Sequence, residues 1–200
     1  MKLYDFHDSG NGYKVRLLCA FLGLGYEYVE KDIITGETRT PDFLAKNPNG
    51  RIPLLELDDG TCLSESDAIL FYLADGTPWW PGDKLHRTRV LQWMFFEQYN
   101  HEPSIAVARF IVRHTADDHP RRAELTALRA KGHDALRVMA TQLAKTPWLT
   151  GDTPTIADVA LYAYTHVAHQ ADIDVGEHPP VARWLRRMTD LDGFVPMTAS

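Results

Sequence analysis

The sequence predicts an α/β domain followed by an all-α helical domain, and three observations carry that expectation. Strand-like and helix-like patterns alternate from Lys2 to about Asp75. The stretch Gly76-Thr77-Pro78-Trp79-Trp80-Pro81-Gly82 then breaks the pattern. From Leu85 onward the apolar residues recur only at helical spacing. The expected boundaries are 1–76 for the first domain, 77–85 for a linker and 86–200 for the helical domain.

Within the first domain, Lys2 to Phe6 reads as a short strand and His7 to Gly12 as a polar turn. Val15, Leu18, Cys19 and Leu22 share one helical face, and Gly23 and Gly25 end that helix. Tyr26 to Ile33 alternates well enough for a second strand, so a βαβ unit with parallel strands results. A short helix is expected after Pro41, and Asn47-Pro48-Asn49-Gly50 is a turn. Ile52 to Leu57 and Thr61 to Leu63 read as a hairpin closed by Asp58-Asp59-Gly60. Ser64 opens a helix with Ala68, Ile69, Tyr72 and Leu73 expected on its inner face, which completes the order β-α-β-α-β-β-α.

In the second domain, a helix over Leu85 to about His101 is interrupted at Pro103 by a kink or a restart, and its pattern resumes through Phe110. Further helices are expected over Arg121 to Lys145, Thr155 to about Gln170 and Pro179 to Thr189. Thr155-Ile156-Ala157-Asp158 has the spacing of a capping box, in which each side chain satisfies the other residue's backbone N–H.

Composition narrows the function classes. The formal charge of −6 offers no general attraction to nucleic acid or to anionic membranes. Cys19 and Cys62 form neither a CxxC pair nor a metal-ligand cluster, and Cys19 reads as core. His166 and His169 share a helical face without an evident third ligand, so no metal site is expected. The chain runs from Met1 directly into a strand pattern, with no signal-peptide core and no apolar run long enough for a bilayer. A cytoplasmic protein is expected.

Three segments carry polar groups where strands meet helices. Ser9-Gly10-Asn11 precedes the first helix, whose opening turn has unpartnered N–H groups and partial positive charge. A thiolate there is stabilised, and a hydroxyl or amide adds a hydrogen bond. Ser and Asn are also the commonest N-cap residues, so this tripeptide alone reads as an ordinary cap before it reads as a site. In Arg51-Ile52-Pro53, a cis peptide would turn the backbone of Ile52 toward a ligand, whereas a trans Pro is simply a strand edge. In Ser64-Glu65-Ser66-Asp67, Glu65 suits an ammonium group, and Ser66 with the free N–H groups suits a carboxylate.

Taken in order, these segments resemble the cytosolic glutathione transferases, and in particular bacterial members with a Ser/Asn-type active site. The matching residues are Tyr4-Asp5-Phe6, Ser9-Gly10-Asn11 and Lys14-Val15-Arg16-Leu17, then Asn47 to Pro53, then Ser64 to Ile69, with Thr155 to Asp158 in the helical domain. The resemblance spans essentially the whole chain. It implies a thioredoxin-like N-terminal domain, glutathione as co-substrate, and a homodimer.

It also implies roles for individual residues. Ser9 or Asn11 would activate the thiol. Ile52 and Pro53 would meet the cysteinyl part of glutathione, Glu65 and Ser66 its γ-glutamyl part, and Arg39 its glycine carboxylate. Tyr99, His101 and Arg109 would line a pocket for a small electrophilic or disulfide substrate, although a solvated face or a dimer contact explains them as well. Glutathione transfer to an electrophilic carbon is the implied activity. Glutathione-dependent disulfide or peroxide reduction and a non-catalytic glutathione-binding module are the alternatives.

Overall fold

The computed structural model describes residues 1–199. They form two compact units, one made of Met1–Gly76 plus the stretch from Asp192, the other of Thr77–Leu191.

The first unit runs β1 (Lys2–Asp5), α1 (Gly10–Leu22), β2 (Glu27–Glu30), α2 (Pro41–Lys46), β3 (Leu54–Glu56), β4 (Cys62–Ser64) and α3 (Ser66–Ala74). The sheet order is β2-β1-β3-β4, with β1 parallel to β2 and the other pairs antiparallel. This is the thioredoxin-like arrangement the resemblance implied. Leu3, Leu54 and Leu55 from the sheet are fully buried, as are Val15, Leu17 and Leu18 of α1 and Ile69 and Leu70 of α3. Each such aliphatic side chain contributes about 1.5–3 kcal/mol on burial. β2 is shorter than the alternation suggested, because β1 offers only four residues to pair with it.

Local chemistry sets the ends of α1. Ser9 has extended dihedrals and caps the first turn. Gly23, at φ +64°, takes the left-handed position, and its N–H and that of Leu24 reach back to the carbonyls of Ala20 and Cys19.

The second unit contains α4 (Lys84–Phe96), α5 (Glu102–His114), α6 (Leu125–Leu143), α7 (Ile156–Thr165) and α8 (Pro179–Thr189). Pro103 does restart the helix, through one π turn at Glu97–His101. Pro lacks the N–H for the carbonyl four residues back, and its ring crowds that carbonyl, so the wider turn accommodates it. The predicted helix from Thr155 stops at Thr165 and gives way to a 3-10 turn at Ala168–Ala171. The capping box is present. Asp158 Oδ2 accepts from the Thr155 N–H at 2.9 Å, while Oδ1 accepts from the Leu149 N–H at 3.0 Å and Trp184 Nε1 at 2.9 Å.

The stretch from Asp192, read from sequence with the helical domain, packs in the first unit. Val195 and Met197 supply backbone carbonyls to Tyr13 and Arg16 of α1.

Candidate active site

Sheet register brings the three polar segments together. Tyr4 of β1 lies opposite Leu54 of β3, and Leu54 opposite Ser64 of β4. The chain leaves β1 toward Ser9, enters β3 from Ile52-Pro53 and leaves β4 toward Glu65-Ser66, all at this one end of the sheet. The Ile52-Pro53 peptide is cis.

At the start of α1, Ser9 Oγ accepts from the Gly12 N–H at 3.3 Å, so one of its lone pairs serves the cap while its proton remains a donor. Asn11 lies in the first turn and is half-buried. Its Oδ1 accepts from Ser66 Oγ at 3.3 Å, joining the α1 start to the α3 start.

Beneath this pair lies Lys14, fully buried, with its Nζ 3.2 Å from Ser66 Oγ and 3.2 Å from Asp67 Oδ1. An ammonium is viable there because both partners compensate its lost hydration. Burial pushes the Asp67 carboxyl upward in pKa, and the Lys14 charge opposes that shift. The chain of donors has one polarity. Lys14 only donates, so the Ser66 oxygen accepts and its proton goes on to Asn11 Oδ1. The other end of the Asn11 amide is therefore its NH2, a donor suited to an anion.

Glu65 has φ +66°, outside the usual range for a residue with a side chain. Such a conformation costs about 1–3 kcal/mol and recurs at ligand sites. Its Oε1 lies 3.5 Å from Asn49 Nδ2, and Arg39 Nη1 donates to the Asn49 carbonyl at 3.0 Å. Arg39, Asn49 and Glu65 thus form a polar string along the turn that leads to Pro53. Gly50, at φ +62°, leaves room for the Arg39 guanidinium, which a Cβ would meet at 2.5 Å.

Sequence reasoning passed over Lys14, Asp67 and Asn49 as site residues. Lys14 lies between Tyr13 and Val15, both fully buried, and only the fold reveals this, so the sequence offered no signal for it.

The other expected positions lie in the second unit. Tyr99 is 83% exposed and lines a cavity of 380 Å³ together with Phe96, Pro103, Leu128, Lys131 and Val138. His101 is fully buried, with Nε2 2.8 Å from Thr165 Oγ1, and Arg109 is buried, with Nε donating to Gln170 Oε1 at 2.7 Å. His101 and Arg109 are not among the residues that line the cavity at Tyr99. Cys19 is buried and its thiol is pushed up to about 12 by desolvation, as suits a core residue. Among the described residues no group of three or more His, Cys, Asp or Glu side chains is placed to hold a metal, and no helix is long and apolar enough to cross a membrane.

Comparison with known proteins places both domains in one family. The model of the glutathione S-transferase N-terminal domain matches residues 1–75, and that of the C-terminal domain matches residues 122–187. A glutathione S-transferase structure from Pseudomonas fluorescens is 51% identical, with a TM-score of 0.97 over 99% of this chain and 98% of that one. A glutathione transferase homolog from Lodderomyces elongisporus, solved with two GSH per subunit, is 27% identical, with a TM-score of 0.87 over 96% and 94%. A maleylacetoacetate isomerase of Rhizobium meliloti is 31% identical over 96% of this chain and 92% of its own length. Both family models, the fold and these relatives agree on one conclusion: the protein belongs to the glutathione S-transferase family.

Proposed function

We propose that this protein binds glutathione, stabilises its thiolate and directs it at an electrophilic carbon of a small apolar substrate. The observation that carries the reading is the meeting, at one end of the sheet, of the α1 start, Ile52-Pro53 and Glu65-Ser66. Glutathione lies extended across them. Glu65 takes the γ-glutamyl ammonium, while Ser66 and the free N–H groups of α3 take the neighbouring carboxylate. The backbone of Ile52 beside Pro53 pairs with the cysteinyl unit, and Arg39 meets the glycine carboxylate.

The sulfur then sits at the first turn of α1. There the helix terminus and the Asn11 NH2 favour the thiolate, and Ser9 acts chiefly as the cap. The thiolate forms the new C–S bond, and the leaving group departs with the electron pair. The protein's work is to lower the thiol pKa and hold the reactants in line. The apolar faces exposed at Phe71 and Tyr72 on α3, and at Phe95 on α4, suit a homodimer, which sedimentation tests directly.

Calorimetry with glutathione is the first experiment, since no binding at millimolar concentration ends the proposal. A chlorodinitrobenzene assay then tests transfer. A second reading, glutathione-dependent disulfide or peroxide reduction, is favoured by Asn11 and by the relative holding two GSH per subunit. A mixed-disulfide or hydroperoxide rate far above the aromatic rate selects it. The isomerase relative adds maleylacetoacetate as a third substrate to assay.

A further inference from the structure

One cluster in the first unit has no part in holding glutathione. Arg16, on α1, is buried, and all three of its guanidinium nitrogens are bonded. Nε donates to Asp5 Oδ2 at 3.1 Å, Nη2 to the His7 carbonyl at 2.8 Å and Nη1 to the Met197 carbonyl at 2.9 Å. His7 belongs to the loop that delivers Ser9, and Asp5 is the last residue of β1. The guanidinium also lies over the Tyr13 ring, 5.4 Å from its centroid, and the Tyr13 hydroxyl donates to the Val195 carbonyl at 2.7 Å.

The stretch from Asp192 makes a run of contacts along α1. Gly193, at φ +82°, passes so close to the last turns that a Cβ would lie 3.2 Å from the Ala20 carbonyl. Val195 and Met197 then meet Tyr13 and Arg16, nearer the start of the helix. The Met197 side chain is only 7% exposed.

We propose that residues 193–197 are a strap that fixes the thiolate-binding turn, and that Arg16 is the positioning residue through which the strap acts. A planar guanidinium is needed because three acceptors on three different segments must be met at fixed angles, which a lysine ammonium on a flexible stem does not do. Arg16 also anchors Asp5, whose carboxyl group lies directly under the first turn of α1. A Cβ on Gly12 would fall 1.6 Å from Asp5 Oδ1.

The catalytic readout rests on the glutathione reading, so the test has a second arm that does not. Three full-length variants serve. Met197→Asp places a charge at a buried position and releases the strap without altering a residue of α1. Arg16→Lys keeps the charge facing Asp5 and loses the three-way geometry. Tyr13→Phe removes only the bond to Val195. Hydrogen exchange is measured at the Gly12 and Tyr13 amides, and the thiol pKa of bound glutathione is read from thiolate absorbance.

Met197→Asp and Arg16→Lys are expected to speed exchange at both amides. They should raise the bound thiol pKa by about one unit, a tenfold loss of thiolate below that pKa. The kcat should fall more than the glutathione KM rises, and Tyr13→Phe should shift in the same direction by less. Wild-type exchange at Gly12 and Tyr13 in Met197→Asp would overturn the proposal whether or not glutathione binds. So would an Arg16→Lys protein with a wild-type thiol pKa. If Met197→Asp fails to fold, Met197→Ala replaces it with the same expected direction. Should wild-type protein not bind glutathione, the exchange arm alone decides about the strap and the functional reading fails separately.

Discussion

Replacing Ser9 and Asn11 separately by alanine tests the proposed placement of the glutathione sulfur. Asn11 Oδ1 accepts from Ser66 Oγ, and Ser66 in turn accepts from the buried Lys14. That polarity orients the Asn11 NH2 as a donor. A hydrogen bond to a charged group contributes about 1.5–3 kcal/mol. At about 1.4 kcal/mol per pKa unit, Asn11→Ala should raise the bound thiol pKa by about 1–2 units. Ser9 already accepts from the Gly12 N–H, at a long 3.3 Å. Losing an N-cap costs about 1 kcal/mol, so Ser9→Ala should lower the unfolding free energy by about that amount and move the thiol by less than about half a unit. Thiolate absorbance titration and denaturant unfolding separate the two effects. A larger thiol shift in Ser9→Ala would refute the donor chain through Lys14. Equal small shifts would mean that the backbone of the helix start does the activating.

Three further outcomes follow from the same structure. Asp158→Ala leaves buried donors on Leu149, Thr155 and Trp184, and at about 1 kcal/mol or more per donor it should cost about 3 kcal/mol in denaturant unfolding; a loss below about 1 kcal/mol would contradict this. Gly12→Ala drives a methyl into the fully buried Asp5 carboxylate, and overpacking of this kind costs about 1–3 kcal/mol; unchanged stability and activity would show that Asp5 can move. Asp5 itself is held up at about 7 by burial, against the pull of Arg16, so the folded state keeps a proton that the unfolded state releases from about pH 4 upward. Its contribution to stability therefore falls as pH rises to about 7 and is flat beyond, with Asp158, raised to about 6, acting in the same sense. The unfolding midpoint should depend less on pH between about 5 and 8 in Asp5→Asn than in wild type, and an unchanged slope would refute the assignment.

Much of the fold was legible because local chemistry and burial agree. The apolar face of α1, the Gly23 stop, the turn at Asp58-Asp59-Gly60 and the Thr155–Asp158 box each have a short-range cause. The three site segments were legible through their order, and the register of β1, β3 and β4 brings them to one end of the sheet. What stayed hidden depends on distant contacts. A buried lysine beneath Asn11 reads, in sequence, as a solvated helix residue, because only Ser66 and Asp67 make it viable. The same holds for His101 and Arg109, whose polar groups find partners in Thr165 and Gln170, more than sixty residues away. The π turn at Glu97–His101 is a compromise between Pro103 and continued helix, and no local pattern announces it.

The return of the chain to α1 also bears on how the protein is made. Tyr13 and Arg16 close their bonds with residues 182 and 181 positions downstream. Contacts of such separation are slow to form, because a long loop must close before they contribute. At about 5–20 residues per second, synthesis from the end of α3 to Met197 takes about 6–25 s. Throughout that interval the newly made N-terminal unit carries α1 with one flank uncovered. The faces of Tyr13 and Arg16 that meet Val195 and Met197 are then open to a chaperone or to another nascent chain, and their bonds close only after the helical unit has been made.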